Sequence, residues 1–585
     1  MRASLVIVGA GPRGTGVLER IAANAAELPP GAGLDIHLVD PYPPGPGRIW
    51  RTGQSPLLWM NSRAEDVTVF TDASVEMAGP VREGPTLHEW AGLDGDAFVG
   101  RRVQGSYLRW AYDRAVAALP PDVTVHHHPY RAVRVSGPRE GRQRVWLAGR
   151  PRPLLADAVV LTLGHLDAEP DAEQTELSAY ARAHGLVHLP PDFTADSDLS
   201  PLRPGEPVLV RGFGLAFVDL MVLLTEGRGG RYDGDVYVPS GREPVLYVGS
   251  RRGVPYHSKI GYRLDGAPPP LPRFLGPAET EALLARPGRL DFRRDVWPLV
   301  EKELGFAHYH RLFTAHRERT RLGWAAFEER YAAVDDPAER AALVAAAVPD
   351  PADRFDPAAL DRPLAGVRYG SHEAFQTGLR RYVEADLRRR HDPAYSPDQA
   401  VFLALLSVYG QLMRLGDIGT WWHGFFSYLA SGPPGPRLRQ LLALSRAGLV
   451  RFVGADMSVR AEGGVFRATS PTVPGFAVEA RALVEARLPE PTVARTRDPL
   501  LRELYADGAA ATADGLLRVD PADGRVLDRS GRPHPRRFAL GPHTDVRSAG
   551  AFTRPHTGGP PFRQNDAAAR ALLELLGASA GRAAA

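Results

Sequence analysis

The most constraining stretch of the chain is its first, a short apolar run that ends in glycines and passes straight into a helical pattern. Ser4-Leu5-Val6-Ile7-Val8 is apolar and β-branched on successive positions, which suits a strand buried on both faces of a parallel sheet. Gly9-Ala10-Gly11-Pro12-Arg13-Gly14 follows, and then TGVLERIAANAAEL with apolar residues at helical spacing. The three glycines do different things. Gly9 allows the tight turn, Gly11 lets the backbone approach a pyrophosphate, and Gly14 lets helix and strand pack closely. The helix N-terminus offers its free N–H groups and dipole to the phosphates. A turn whose glycines serve packing alone is the alternative. Against it stands a second strand, Leu34-Asp35-Ile36-His37-Leu38-Val39, that ends at Asp40, where an acidic residue is the partner expected for ribose hydroxyls. The interval from Gly14 to Asp40 exceeds the usual value of about 20 residues, and the loop PPGAG at 29–33 absorbs the excess. Gly9, Gly11, Pro12, Arg13, Gly14 and Asp40 are therefore candidate cofactor-binding residues.

A second unit of the same kind is less regular. Glu206–Arg211 reads as a buried strand and enters Gly212-Phe213-Gly214-Leu215-Ala216-Phe217 before the helical LMVLLTEG. Phe217 stands where the third glycine belongs, and a bulky side chain there should push helix from strand. The next strand, Val245–Ser250, runs into Arg251-Arg252-Gly253. Arginines at that strand end can grip the 2′-phosphate of NADPH, so Gly212, Gly214, Ser250, Arg251 and Arg252 are candidates; a solvated surface pair is the alternative. Between the two units the strand AVVLTLGH, from Ala158 to His165, ends in a small-residue turn with Thr162 and Gly164.

At 585 residues the chain should hold two or three domains, and its 44% hydrophobic and 24% charged residues are those of an ordinary folded protein. The formal net charge of +3, without a dense basic run, gives no reason to expect nucleic acid or an anionic membrane as partner. There is no cysteine, which rules out disulfides, Cys-ligated metal and a redox-active thiol pair. Leu5–Val8 is too short for a signal peptide core and flows into the glycine turn without a cleavage site. The apolar run around Val401–Leu412 is too short to span a bilayer, so a cytoplasmic protein is expected.

Together the glycine turn of VIVGAGPRGTGVLERI, the LTLGH strand end, LVRGFGLAFVDL, GSRRG and the tail FALGPHTD…PPFRQNDAAARALLELL resemble the bacterial FAD/NAD(P)-binding-domain flavoproteins. These are relatives of the class B flavin monooxygenases and the ornithine and lysine N-hydroxylases. The segment Asp157 to Pro170 is similar to the N-hydroxylase pattern, with Thr162-Leu163-Gly164 for the usual Ala-Thr-Gly and His165 for a common Tyr. The resemblance implies FAD at the first turn and NADPH (NADH possible) at the second. It also implies that the tail folds back so that Gly541, Gln564, Asn565 and Asp566 approach the flavin, with a helix starting at Ala567 aimed at the ring. An Asn/Asp helix cap is the structural alternative. In the resembled family the loop after Asp40 wraps the flavin, which makes Arg48, Trp50, Asn61 and Ser62 cofactor candidates. Asn61 is also the candidate catalytic residue, an amide that could bind the nicotinamide or a hydroperoxide.

The fold expected is α/β, with two Rossmann-like nucleotide-binding domains (a discontinuous FAD domain and an NAD(P) domain) and a largely helical insertion. The boundaries expected are 1–200 and 531–585 for the FAD domain, 201–290 for the first part of the NAD(P) domain, 291–450 for the helical cap and 451–530 for strands returning to the nucleotide domains. Trp421-Trp422-His423 and His308-Tyr309-His310 lie in the cap; core packing is the favoured role of the aromatics, and the histidines lack the spacing of a zinc site. The function expected is an NAD(P)H-using FAD monooxygenase acting on a small molecule, with N-hydroxylation of an amine or amino acid as the leading reaction. An FAD oxidoreductase without oxygen insertion and a non-catalytic FAD-binding protein are the alternatives.

Overall fold

A computed structural model describes the chain except Met1, Pro30, Arg289, Asp417, Pro491, 547–549 and Ala585, with the side chains of 579–584 also left aside. It is a mixed α/β protein with parallel sheets, divided into two compact units: Met1–Asp171 with Pro489–Ala585, and Ala172–Leu488.

In the first unit six strands run in the order Arg525–Leu527, Pro533–Ala539, Ala158–Leu161, Ala3–Val8, Leu34–Val39, Val123–His128. All neighbours are parallel except the first pair, which is antiparallel. The two faces of Ala3–Val8 explain its unbroken apolar run. Leu5 and Ile7 join a core with Val17, Leu18 and Ile21 of the helix Pro12–Ala23 and Leu572 and Leu573 of the helix Pro560–Ala584. Val6 and Val8 join another with Val145 and Leu147 of a three-stranded antiparallel sheet (Ala132–Ser136, Gln143–Leu147, Leu154–Ala156) and Leu500, Leu501 and Leu504 of the helix Pro499–Ala506. Burial on both faces is what a sheet covered by two layers demands.

In the second unit five parallel strands run in the order Val450–Ala455, Val245–Ser250, Pro207–Arg211, Ala482–Glu485, Val187–Leu189. This unit begins before residue 200, because the strand Val187–Leu189 pairs with Ala482–Glu485. Of the strands after the helical stretch, Val450–Ala455 and Ala482–Glu485 are in this sheet, and Ser458–Glu462, Val465–Thr469 and Ala477–Ala480 form an antiparallel sheet packed on it through Phe466 and Ala468. Helices run from Pro277–Leu284 to Gly435–Arg446, with an aromatic core at Phe306, Tyr309, Phe313, Phe327 and Tyr331. Among the described residues no helix is long and apolar enough to cross a membrane.

Candidate functional site

At the carboxyl ends of the first sheet three strands finish in register, with Val8 opposite both Val39 and Leu161. The residues that follow them, Gly9, Asp40 and Thr162, therefore converge. Gly9 N–H donates to the Val39 carbonyl at 2.8 Å, and Thr162 N–H donates to the Val8 carbonyl at 2.8 Å. Gly9 has a φ of 102°, and a Cβ there would run into the Thr162 carbonyl oxygen. Asp40 closes the turn: Ala10 N–H donates to one carboxylate oxygen and Tyr42 N–H to the other, each at 2.8 Å. Burial pushes the Asp40 carboxyl up, and these two N–H donors oppose it.

The helix Pro12–Ala23 starts at Gly11 with no side-chain cap and no acidic residue in its first turn. Its first N–H groups are thus left for an anion. Arg13 lies beside them, buried, donating to the Pro561 carbonyl at 3.0 Å, Asn565 Oδ1 at 3.1 Å and Gln564 Oε1 at 2.9 Å. Those acceptors are neutral, and burial lowers the guanidinium pKa to about 10. A cavity opens over this turn, lined by Gly9, Gly11, Pro12, Arg13, Asp40, Arg48, Trp50, Thr162 and Gly164. Arg48 is ion-paired to Asp167 at 2.8 Å, and Trp50 meets Phe552 edge-on at 5.5 Å. An uncapped helix start, a buried cation and a glycine-walled floor fit the pyrophosphate of FAD.

Several predicted residues lie elsewhere. Asn61 and Ser62 are half-buried and outside that cavity's lining, as are Gly541, Gln564, Asn565 and Asp566. The tail helix starts at Pro560, well before Ala567. Asn565 and Asp566 therefore sit within it and turn inward. Asn565 and Gln564 hold Arg13, while Asp566 accepts from Asn24 and from Gly79 N–H, each at 2.9 Å. The cavity also has walls for which the sequence offered little signal. Gly47 presses on Gly11 from the GPG turn, and Phe552 comes from the tail.

The second glycine turn repeats the first in its backbone bonds. Gly212 N–H donates to the Gly249 carbonyl at 2.9 Å, and Ala486 N–H to the Arg211 carbonyl at 3.0 Å, matching the two bonds at Gly9 and Thr162. Gly212 has a φ of 126°, and a Cβ there would approach the Ala486 carbonyl oxygen to 2.5 Å. The side chains differ. Phe217 is buried edge-on against Phe213 of the turn at 5.0 Å. The Tyr256 ring lies over Gly214, 3.0 Å from where a Cβ would stand. Arg252 does not reach out from its strand end: it is buried, bonded to Asp361 and stacked over Tyr428 at 4.5 Å. Arg251 is exposed, and the Ser250 hydroxyl accepts from Gly253 N–H at 3.0 Å. Among the described residues no cluster is suited to a metal.

A glycine turn at the end of a parallel sheet, open to a cavity and backed by a buried arginine, defines a dinucleotide-binding protein. The pattern of a family described as FAD-NAD(P)-binding matches residues 6–166. Over almost its whole length the chain is similar to an L-aspartate N-monooxygenase (nitrosuccinate-forming) of Streptomyces davaonensis, with 38% identity covering 97% of each chain. It is also 38% identical to the nitrosuccinic acid synthase of Aspergillus oryzae, over 98% of this chain and 93% of that one. Among solved structures, an ornithine N-hydroxylase of Kutzneria aligns over 100% of both chains at 14% identity and a TM-score of 0.37. The chain belongs to the family of these N-monooxygenases, and it is a flavin-dependent monooxygenase.

Proposed function

We propose that this enzyme oxygenates the amino nitrogen of L-aspartate, with FAD at the first glycine turn and NADPH at the second. The observation that carries the reading is the identity of 37–38% along nearly the full length of relatives named for that activity. The repeated bond pattern at Gly9 and Gly212 supports two Rossmann-like units, a discontinuous FAD domain and an NAD(P) domain bearing the helical insertion.

When bound, FAD would supply the redox chemistry of the reaction, hydride acceptance from NADPH and activation of dioxygen. In balance, amine, dioxygen, NADPH and a proton give hydroxylamine, water and NADP⁺. The protein's own part is to bind and orient. The first N–H groups of the helix Pro12–Ala23 and Arg13 hold the pyrophosphate, and Asp40 reads the ribose through lone pairs that its two N–H donors leave open. Arg48, Trp50, Thr162 and Gly164 shape the same cavity. Gln564 and Asn565 serve by fixing Arg13, and Asp566 by tying the tail helix to Asn24. Gly212, Gly214, Ser250 and Arg251 receive NADPH, and Asn61 is the candidate catalytic amide. A cytoplasmic location fits the reductant.

The test is turnover of the FAD-loaded protein with NADPH, isotope-labelled dioxygen and L-aspartate. Label on the substrate nitrogen and aspartate-stimulated NADPH oxidation, neither given by L-ornithine, are expected. NADPH oxidation that aspartate leaves unchanged, with peroxide as its only product, overturns the reading.

A further inference from the structure

The strand end at Ser250 offers one outward cation, because Arg252 turns into the interior and only Arg251 is exposed. A second exposed arginine comes from the helical stretch. Arg293 lies in the π-helical turn Phe292–Val296, a backbone form frequent at functional sites. Its guanidinium carbon stands 3.5 Å from the centre of the Trp421 ring, and Phe292 meets the same residue at 6.2 Å. A guanidinium laid on a ring uses its face and keeps its N–H edge for an anion.

Arg251 and Arg293 belong to one patch. Trp421 and Gly424 are three residues apart on the helix Gly419–Ala430, hence on the same face one turn apart. Nη2 of Arg251 lies 3.9 Å from where a Cβ on Gly424 would stand, which sets its guanidinium against the turn next to Trp421. Asp361 links the two sides: one oxygen accepts Trp421 Nε1–H at 3.0 Å, and the other is bonded to Arg252. Burial pushes the Asp361 carboxyl up, but Arg252, Trp421 and Arg251 outweigh it and hold it below the usual carboxylate range. The other carboxylates nearby are taken, Asp295 by Arg294 and Asp456 by Arg362. Among the described residues neither Arg251 nor Arg293 has a carboxylate at ion-pair distance. Two such guanidinium groups beside one strand end suit a doubly charged anion.

We propose that Arg293, laid on Trp421, is the second cation for the 2′-phosphate of NADPH, with Arg251 as the first, so that the helical insertion takes part in choosing NADPH over NADH. The proposal rests on the reading that NADPH binds at the second glycine turn, and its test measures binding apart from turnover.

The experiment is calorimetric titration of the FAD-loaded full chain, near neutral pH, with adenosine 2′,5′-bisphosphate and with adenosine 5′-phosphate, which differ in the 2′-phosphate alone. The bisphosphate should bind more tightly. Arg293→Ala should weaken it about tenfold, the loss of one charge-assisted contact, and leave the 5′-phosphate unchanged. Arg293→Lys, which keeps the charge without the planar stack, should recover part of the loss. Arg294→Ala removes a neighbouring arginine already paired with Asp295 and should change neither ligand. Thermal melts of the variants establish that they fold. A bisphosphate preference that Arg251→Ala removes and Arg293→Ala leaves intact overturns this proposal and spares the NADPH reading. Equal weakening by Arg293→Ala and Arg294→Ala, or equal weakening of both ligands by Arg293→Ala, also overturns it. No preference for the bisphosphate in the unaltered protein overturns both.

Discussion

Single residues decide the first site, and its glycines were legible because their role is local. Gly9 needs both its positive φ and the space that the Thr162 carbonyl oxygen occupies, so Gly9→Ala is strained in both ways. Such a residue costs about 1–3 kcal/mol. The expected outcome is a lower melting temperature and loss of most bound FAD, measured by flavin absorbance per chain; full flavin content would mean that the turn can relax. Arg252 shows what local reading misses. The pair Arg251-Arg252 looks like a phosphate clamp, but Asp361 and Tyr428, remote in sequence, take Arg252 into the interior. The two arginines should therefore separate on mutation. Arg251→Ala should raise KM for NADPH several-fold more than for NADH, while Arg252→Ala should lower the melting temperature and change both KM values alike, since truncation leaves the half-buried Asp361 without its cation, beside a void. A selective NADPH defect in Arg252→Ala would restore the clamp.

Elements reproduce the sequence pattern where periodicity sets them and depart from it where a distant partner does. The strand–turn–helix at both glycine turns and the helical stretch were legible, because burial on one stripe or on both faces writes itself into the spacing of apolar residues. The start of the tail helix was not. Proline in the first turn suits a helix, and Pro560 and Pro561 set the start upstream of the boundary that the Asn/Asp pair suggests. Asn565 and Asp566 are then inside the helix, committed to Arg13 and Asn24. At the second turn the helix Leu215–Leu224 also begins without a side-chain cap, as a phosphate site requires, yet the loop after Val245–Ser250 lays Tyr256 over Gly214. A pyrophosphate at Gly214 must displace that ring. Tyr256→Ala is therefore expected to lower KM for NADPH two- to five-fold, about 0.4–1 kcal/mol at ordinary temperature, with the flavin content unchanged. A raised KM in a folded, FAD-replete variant would make the ring part of the binding surface instead.

At the scale of the whole molecule the division of the chain was the least legible feature, because pairing across long intervals, such as Val187–Leu189 with Ala482–Glu485, leaves no local mark. The response to acid is likewise a sum over distant sites. Burial, with the neighbouring His128 and His126, lowers the pKa of His37 to about 4. Burial, with Arg537 and Arg139 nearby, lowers that of His534 to about 3, and burial, with Arg13 nearby, lowers that of His543 to about 4. The unfolded chain protonates these rings near the ordinary value of about 6.5, whereas the folded chain keeps them neutral. Between those values the unfolded state holds more protons, so stability is full above about pH 6.5 and falls as acid is added. Carboxyls raised by burial, such as Asp40, oppose the trend by taking up protons in the folded state first. The histidine share is therefore read from variants: the urea midpoint should drop between about pH 7 and about pH 5, and drop less in His37→Asn and in His543→Gln. Both variants start from a lower midpoint at neutral pH, since each disturbs a packed site, and only the slope against pH carries the test. A slope identical to that of the unaltered protein in both would remove these histidines from the acid response and leave it to the carboxylates.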